Sequence, residues 1–186
     1  MRLSTNPCNV YIEKDTLIDC GITVNKRIKT ILLTHCHFDH VLQVKEVKEK
    51  NNAKVVMQRD DAEAIEKRML HRVFYPVEWF EIDLKFGERV EIGDFTAIHT
   101  PGHTVGSCSY YSKLTGNFYT GDVIFEGYCF GRTDMPTGSF ETLKKSIDKI
   151  YKFCGENGVK RICPGHGNVI EGDIRGYLKE LRSRMG

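Results

Sequence analysis

The run Thr34-His35-Cys36-His37-Phe38-Asp39-His40 places three imidazoles and a carboxylate within six residues, directly after the apolar run Ile31-Leu32-Leu33. Imidazole nitrogen and carboxylate oxygen together suit a divalent metal ion, zinc first, with iron and manganese as the other metals this donor set serves. The apolar run predicts a short buried strand. Side chains alternate along an extended chain, so His35 and His37 leave the strand end on one side and converge on one ion. Cys36 then faces the other way, where a thiol packs as a small apolar group. Asp39 and His40 fall where the chain must turn and can point to a second ion nearby. A merely polar surface loop is a poor account of four such donors in six residues, in a chain with seven histidines.

Three further donors recur downstream. His103 lies in Thr100-Pro101-Gly102-His103-Thr104, and His166 in Cys163-Pro164-Gly165-His166-Gly167. Each follows an apolar, strand-like run, over 95–98 and 159–162, and each is preceded by Pro-Gly, which turns the chain just before the imidazole. Asp122 follows Gly121 between Phe118-Tyr119 and Val123-Ile124-Phe125. A carboxylate among such neighbours is costly to bury alone, and a metal ion removes that cost. His99 alternates away from the Pro-Gly turn and is not expected to be a ligand. His71 has no partner motif and reads as a surface or helix-end residue.

In this order the motifs His-x-His-x-Asp-His, Gly-His-Thr, Gly-Asp and Pro-Gly-His-Gly resemble those of the metallo-β-lactamase superfamily, from residue 9 to residue 166. The stretch Gly131-Arg132-Thr133-Asp134-Met135-Pro136 resembles the hydroxyacylglutathione hydrolase (glyoxalase II)-like branch and its persulfide dioxygenase relatives. Where the family usually continues its first motif with small residues, this chain has Val41-Leu42-Gln43. The resemblance implies a four-layer αββα sandwich of α/β class. It implies two divalent metal ions, one held by His35, His37 and His103, the other by Asp39, His40 and His166, with Asp122 bridging them. It implies that a water between the ions loses a proton and attacks a carbonyl, and that Asp39 also handles the proton as a catalytic residue. Arg132 resembles the basic residue with which such thioester hydrolases hold an anionic group; an ion pair with Asp134 is the competing use. Tyr128 and Phe130 can wall the substrate pocket.

The expected substrate is a small thioester of the hydroxyacyl-thiol type. A thiolate has a parent pKa of roughly 8.5 and departs without a strong general acid, and apart from the ligands no acid motif stands out. The rivals are a mononuclear iron persulfide dioxygenase, a lactonase, β-lactamase or phosphodiesterase of the same fold, and a non-catalytic binding module. The acyl group, the thiol and the oligomeric state are open.

The elements that must position these groups are read from periodicity. The 186 residues suffice for one domain, 1–186, with a substantial core. A formal charge of +2 gives no basic footprint for nucleic acid. No apolar run is long enough to span a bilayer. Without a signal-like apolar segment near the N-terminus, seven cysteines lacking a Cys-x-x-Cys pair predict reduced thiols and a cytoplasmic protein. Cys163 and Cys129 are expected to pack as Cys36 does. Hairpins are predicted around 14–15, 93–94 and 115–117, a strand over 54–57, and helices over 41–50, 60–70, 140–154 and 174–185. In the third of these helices Phe140, Leu143, Ile147, Ile150 and Cys154 follow three-four spacing, with Ser139 as N-cap. Phe74, Tyr75, Trp79 and Phe80 form an aromatic cluster suited to core packing or to a pocket wall.

Overall fold

Short β-branched and aromatic runs, broken by Gly, Asp and Asn turns, become strands; longer runs with three-four apolar spacing become helices. The computed structural model describes residues 1–4, 6–67 and 77–186, and the chain divides into two compact units, Met1–Gly87 and Glu88–Gly186.

In the first unit β1 (Arg2–Ser4), β2 (Val10–Glu13), β3 (Thr16–Ile18), β4 (Thr30–Leu32), β5 (Lys54–Gln58) and β6 (Leu84–Phe86) lie side by side in chain order. β2 and β3 form the hairpin expected at Lys14-Asp15, and Lys14 takes the positive φ that such a tight turn demands. From β3 to β6 the neighbours are parallel, so the chain must return between strands. Between β4 and β5 it does so through α1 (Phe38–Val41) and α2 (Val44–Asn51). The predicted helix over 41–50 is thus split: Leu42 and Gln43 turn the chain, and the Gln43 N–H donates to the Cys20 carbonyl at 2.9 Å. After β5 comes α3 (Arg59–Glu66), whose N-cap Gln58 accepts from the Asp60 N–H at 2.6 Å. The helix ends at Glu66 with Lys67 as its C-cap, and residues 68–70 of the predicted 60–70 helix lie outside the described residues, as do His71, Phe74 and Tyr75. Val10, Leu17, Ile31, Leu33, Val55 and Met57 pack with Val41, Val44 and Val47 into one core, which Cys36 joins as expected. Phe80 is also in that core whereas Trp79 is exposed, so these two aromatics do not share one role.

In the second unit the sheet order is β12 (Ile170–Glu171), β11 (Arg161–Pro164), β10 (Asn117–Gly121), β9 (Cys108–Ser112), β8 (Phe95–His99), β7 (Arg89–Ile92). β7 to β10 form an antiparallel meander with the expected hairpins. β10 and β11 are parallel, linked by α4 (Phe140–Asn157), and α5 (Ile174–Arg184) closes the unit. Ser139 caps α4 as predicted, its hydroxyl accepting from the Thr142 N–H. Leu143, Ile147, Ile150 and Cys154 are buried, each Leu or Ile stabilising by about 1.5–3 kcal/mol. Phe140 departs from the expected stripe. It stands at the first position of α4, where the chain has only begun to turn, and is 36% exposed. Phe153 takes its place in the core, stacked on Phe118 at 5.3 Å. All seven cysteines are free thiols; Cys163 is buried, but Cys129 is exposed, because it follows the surface 3-10 turn Glu126–Tyr128 rather than a strand. Among the described residues no helix is long and apolar enough to cross a membrane.

Candidate metal centre

In the first unit the donors stand at the C-terminal end of β4. Beyond Leu32 the chain bends at Thr34 and runs on to His37, the extended N-cap of α1, and Asp39 and His40 lie in the first turn of that helix. The His35 ring is 4.7 Å from that of His37 and 4.1 Å from that of His40, centroid to centroid. His35 and His40 are buried. The Asp39 carboxylate stands 3.5 Å from His40 Nε2.

Asp19, which the sequence reading did not single out, organises this cluster. Its buried carboxylate accepts the Thr34 N–H at 2.9 Å, the Thr34 hydroxyl at 2.9 Å and His40 Nδ1–H at 2.8 Å. A hydroxyl has one hydrogen. Because Thr34 donates it to Asp19, Thr34 Oγ1 must accept from His35 Nδ1, 3.1 Å away. One carboxylate therefore sets the tautomer of two imidazoles: both carry the proton on Nδ1 and keep the Nε2 lone pair for a metal. The only clue in the sequence is position, an Asp just after a buried strand in Leu17-Ile18-Asp19-Cys20-Gly21. Asp19 takes φ 57°, and Gly21 gives the chain room: a Cβ there would overlap the Asp39 carbonyl oxygen.

In the second unit His103 sits in the loop after β8. Gly102, at φ 135°, lets that loop approach α4; a Cβ would overlap the Leu143 backbone. The Gly102 carbonyl accepts the Ser139 N–H at 2.8 Å, and the Pro101 carbonyl accepts the Ser146 hydroxyl at 2.6 Å. His103 Nδ1–H donates to the Arg132 carbonyl at 2.8 Å, so this imidazole also presents Nε2. Asp122 follows the end of β10, and the Gly165 N–H, one residue before His166, donates to the Gly121 carbonyl at 2.7 Å. Asp122 Oδ2 lies 3.5 Å from His103 Nε2 and 3.5 Å from His166 Nε2.

These separations test whether the side chains fit a metal. A neutral hydrogen bond between nitrogen and oxygen spans about 2.7–3.2 Å. Two ligands at about 2.0–2.1 Å from a tetrahedral zinc ion stand about 3.3–3.4 Å apart. The Asp39–His40, His103–Asp122 and His166–Asp122 pairs are each at 3.5 Å, too long for the first arrangement and close to the second. Within each unit the donors fit an ion.

The metallo-beta-lactamase superfamily model matches residues 7–166. The chain belongs to this superfamily. A probable metallo-hydrolase of Methanocaldococcus jannaschii is 32% identical over 95% of this chain and 94% of its own length. Hydroxyacylglutathione hydrolase GloC of Haemophilus influenzae is 32% identical over 84% of this chain and 76% of its own length. The crystal structure of TTHA1623 in a di-iron-bound form covers all of this chain and 97% of its own, with 25% identity and a TM-score of 0.79. The fold is therefore the α/β metallo-β-lactamase fold that the motifs implied. Divalent metal ions are implied by that fold, and the His and Asp clusters to hold them are present.

The remaining residues named from the sequence have their own settings in this superfamily chain. Arg132 forms a two-pronged ion pair with Asp134, at 2.9 and 2.8 Å, on the surface. That hydrogen bonding raises the guanidinium pKa and holds the Asp134 carboxyl below the usual range. The Tyr128 ring stacks on Tyr177 at 4.6 Å and lies 4.2 Å from the Arg184 guanidinium. The Tyr177 hydroxyl accepts the Tyr128 N–H and donates to the Phe125 carbonyl, tying this segment to α5. His99, not expected to be a ligand, contacts Glu88 through Nδ1 and donates to the Val105 carbonyl through Nε2.

Proposed function

We propose that this protein is a binuclear metallohydrolase of small thioesters, of the hydroxyacyl-thiol type, working in the cytoplasm. The observation that carries it is the imidazole set His35, His40 and His103, each with Nδ1 bonded to oxygen. Such back-bonding orients a histidine as a metal ligand. In this reading His35, His37 and His103 hold one ion, Asp39, His40 and His166 the other, and Asp122 serves both. Zinc is the metal we assign; the di-iron form of TTHA1623 makes iron the first alternative to assay. The hydroxyacylglutathione hydrolase relatives support the thioester.

Bound divalent ions would polarise a carbonyl and make a water acidic near neutral pH. The chain supplies the rest. Asp19 and Thr34 keep the ring protons of His35 and His40 on Nδ1 and away from the reacting centre. The Asp39 side chain, 15% exposed beside His40, is the group we assign to take up the proton that the attacking water releases. The thiolate leaves without protonation by a strong acid, because its parent pKa is roughly 8.5. Arg132 holds an anionic substrate group by exchanging Asp134 for it, a change that a solvent-exposed ion pair permits easily. With the Tyr128 ring engaged by Tyr177 and Arg184, its substrate contact falls to the hydroxyl.

Metal analysis of freshly purified protein, with assays on lactoylglutathione and other thioesters, tests the reading. Two ions per chain, thioester turnover and no oxygen uptake are expected. One iron per chain with oxygen consumed on a persulfide would replace it by the dioxygenase. Turnover confined to lactams, lactones or phosphodiesters would replace the substrate class. A metal-loaded protein inert on every substrate would leave a binding module.

A further inference from the structure

The chain after β4 has left its ladder, yet it must hold two imidazoles in fixed directions. The Leu33 N–H still reaches a strand, donating to the Val56 carbonyl at 3.0 Å. Two amides further on, those of Thr34 and Cys36, donate to carboxylates instead: Thr34 to Asp19, which follows β3, and Cys36 to Oδ2 of Asp61, which follows β5, at 2.9 Å. Asp61 is fully buried, in the first turn of α3, and comes from 25 positions further along the chain. Burying a carboxylate is costly unless hydrogen bonds answer its charge. The amide end of α3 and the Cys36 N–H provide that here. A neutral backbone or hydroxyl acceptor would satisfy the same N–H with less rigidity, because charge-assisted bonds are about twice as strong.

We propose that Asp61 is a positioning residue for the metal centre: its carboxylate pins the backbone between His35 and His37 and thereby fixes the direction in which both imidazoles leave the chain. Fixing the Cys36 N–H constrains ψ at His35 and φ at Cys36, two of the four backbone torsions that relate one ring to the other. The inference rests on the metal-centre reading above and deepens it, assigning to α3 a part in metal binding without any contact with the ion.

The test uses the full chain, with zinc affinity from chelator competition and the ligand-field spectrum of the cobalt(II)-substituted protein. Asp61→Ala is expected to weaken zinc by about 10–100-fold, the range typical of lost outer partners, and to shift the cobalt spectrum. Asp61→Asn keeps an acceptor without the charge and should lose less, about threefold to tenfold. Cys36→Ala retains the backbone bond and should stay close to wild type. Ile65→Val, on the buried face of the same helix, should lower stability while leaving affinity and spectrum unchanged. A folded Asp61→Ala protein with wild-type affinity and spectrum would overturn the proposal, as would an equal loss in Cys36→Ala or Ile65→Val. If Asp61→Ala does not fold, Asp61→Asn decides, and no change there overturns the proposal. A wild-type chain that takes up neither ion would instead defeat the metal-centre reading, and this inference with it.

Discussion

Asp19 does more for the candidate centre than any side chain other than the ligands themselves. Three donors converge on one buried carboxylate, so Asp19→Asn turns at least one of those contacts into donor against donor. We expect about 1–3 kcal/mol lower stability in urea titration and about 10–100-fold weaker zinc binding in chelator competition. His103→Ala should abolish turnover while near-native circular dichroism persists; full activity would refute the assignment of His103 to the first ion. Gly131 is as sensitive, for a different reason. A Cβ there would overlap the Asp122 carbonyl oxygen and crowd His103 Nδ1 at 2.9 Å. The Arg132 carbonyl could then no longer meet His103. Gly131→Ala should therefore lose metal affinity as well as thermal stability, and a variant that kept both would show the segment free to retreat.

At the scale of elements, α4 anchors the His103 loop. Lys149 donates to the His99 carbonyl at 2.8 Å and to Glu88 at 3.0 Å, and His99 donates to the Val105 carbonyl. The hydrogen bond from Lys149, and then that from His99, hold the Glu88 carboxyl below its usual range. A carboxyl whose pKa falls on folding stabilises the protein above its unfolded value and loses that contribution as pH drops through the folded one. Glu88→Gln should thus lower Tm at pH 7, by no more than about 4 °C for so exposed a group, with the difference shrinking once pH falls below the ordinary glutamate value of about 4.3 and disappearing as it passes the lowered folded value. Ser139→Ala removes the α4 N-cap and should cost about 1 kcal/mol, read as a Tm loss of about 2–4 °C, with turnover retained. This helix was legible in the sequence because its apolar spacing and its cap agree. Phe140 misled because spacing marks a face and not where burial along it begins. The predicted 41–50 helix was misjudged because the Gln43 N–H is claimed by Cys20, a partner that periodicity cannot register.

At the scale of the whole molecule, ions bound to the folded chain alone raise its stability by mass action. A free zinc concentration 100 times Kd adds about 2.7 kcal/mol, or roughly 5–11 °C in Tm. Chelation should remove that increment in a thermal melt, and His103→Ala should show less of it. The residue sequence by itself marked out the candidate donors and part of their local setting. His35 and His37 stand two positions apart just beyond a strand and Pro-Gly turns precede His103 and His166, and these are short-range consequences of chain order. The motifs also carried the fold class, since donors spaced so widely belong to few architectures. What holds the imidazoles was decided only by tertiary structure. Asp19, Asp61 and the Arg132 carbonyl reach their partners from 15, 25 and 29 residues away. A carbonyl oxygen is the same at every position, and a buried carboxylate reads like a surface one until the chain has folded around it.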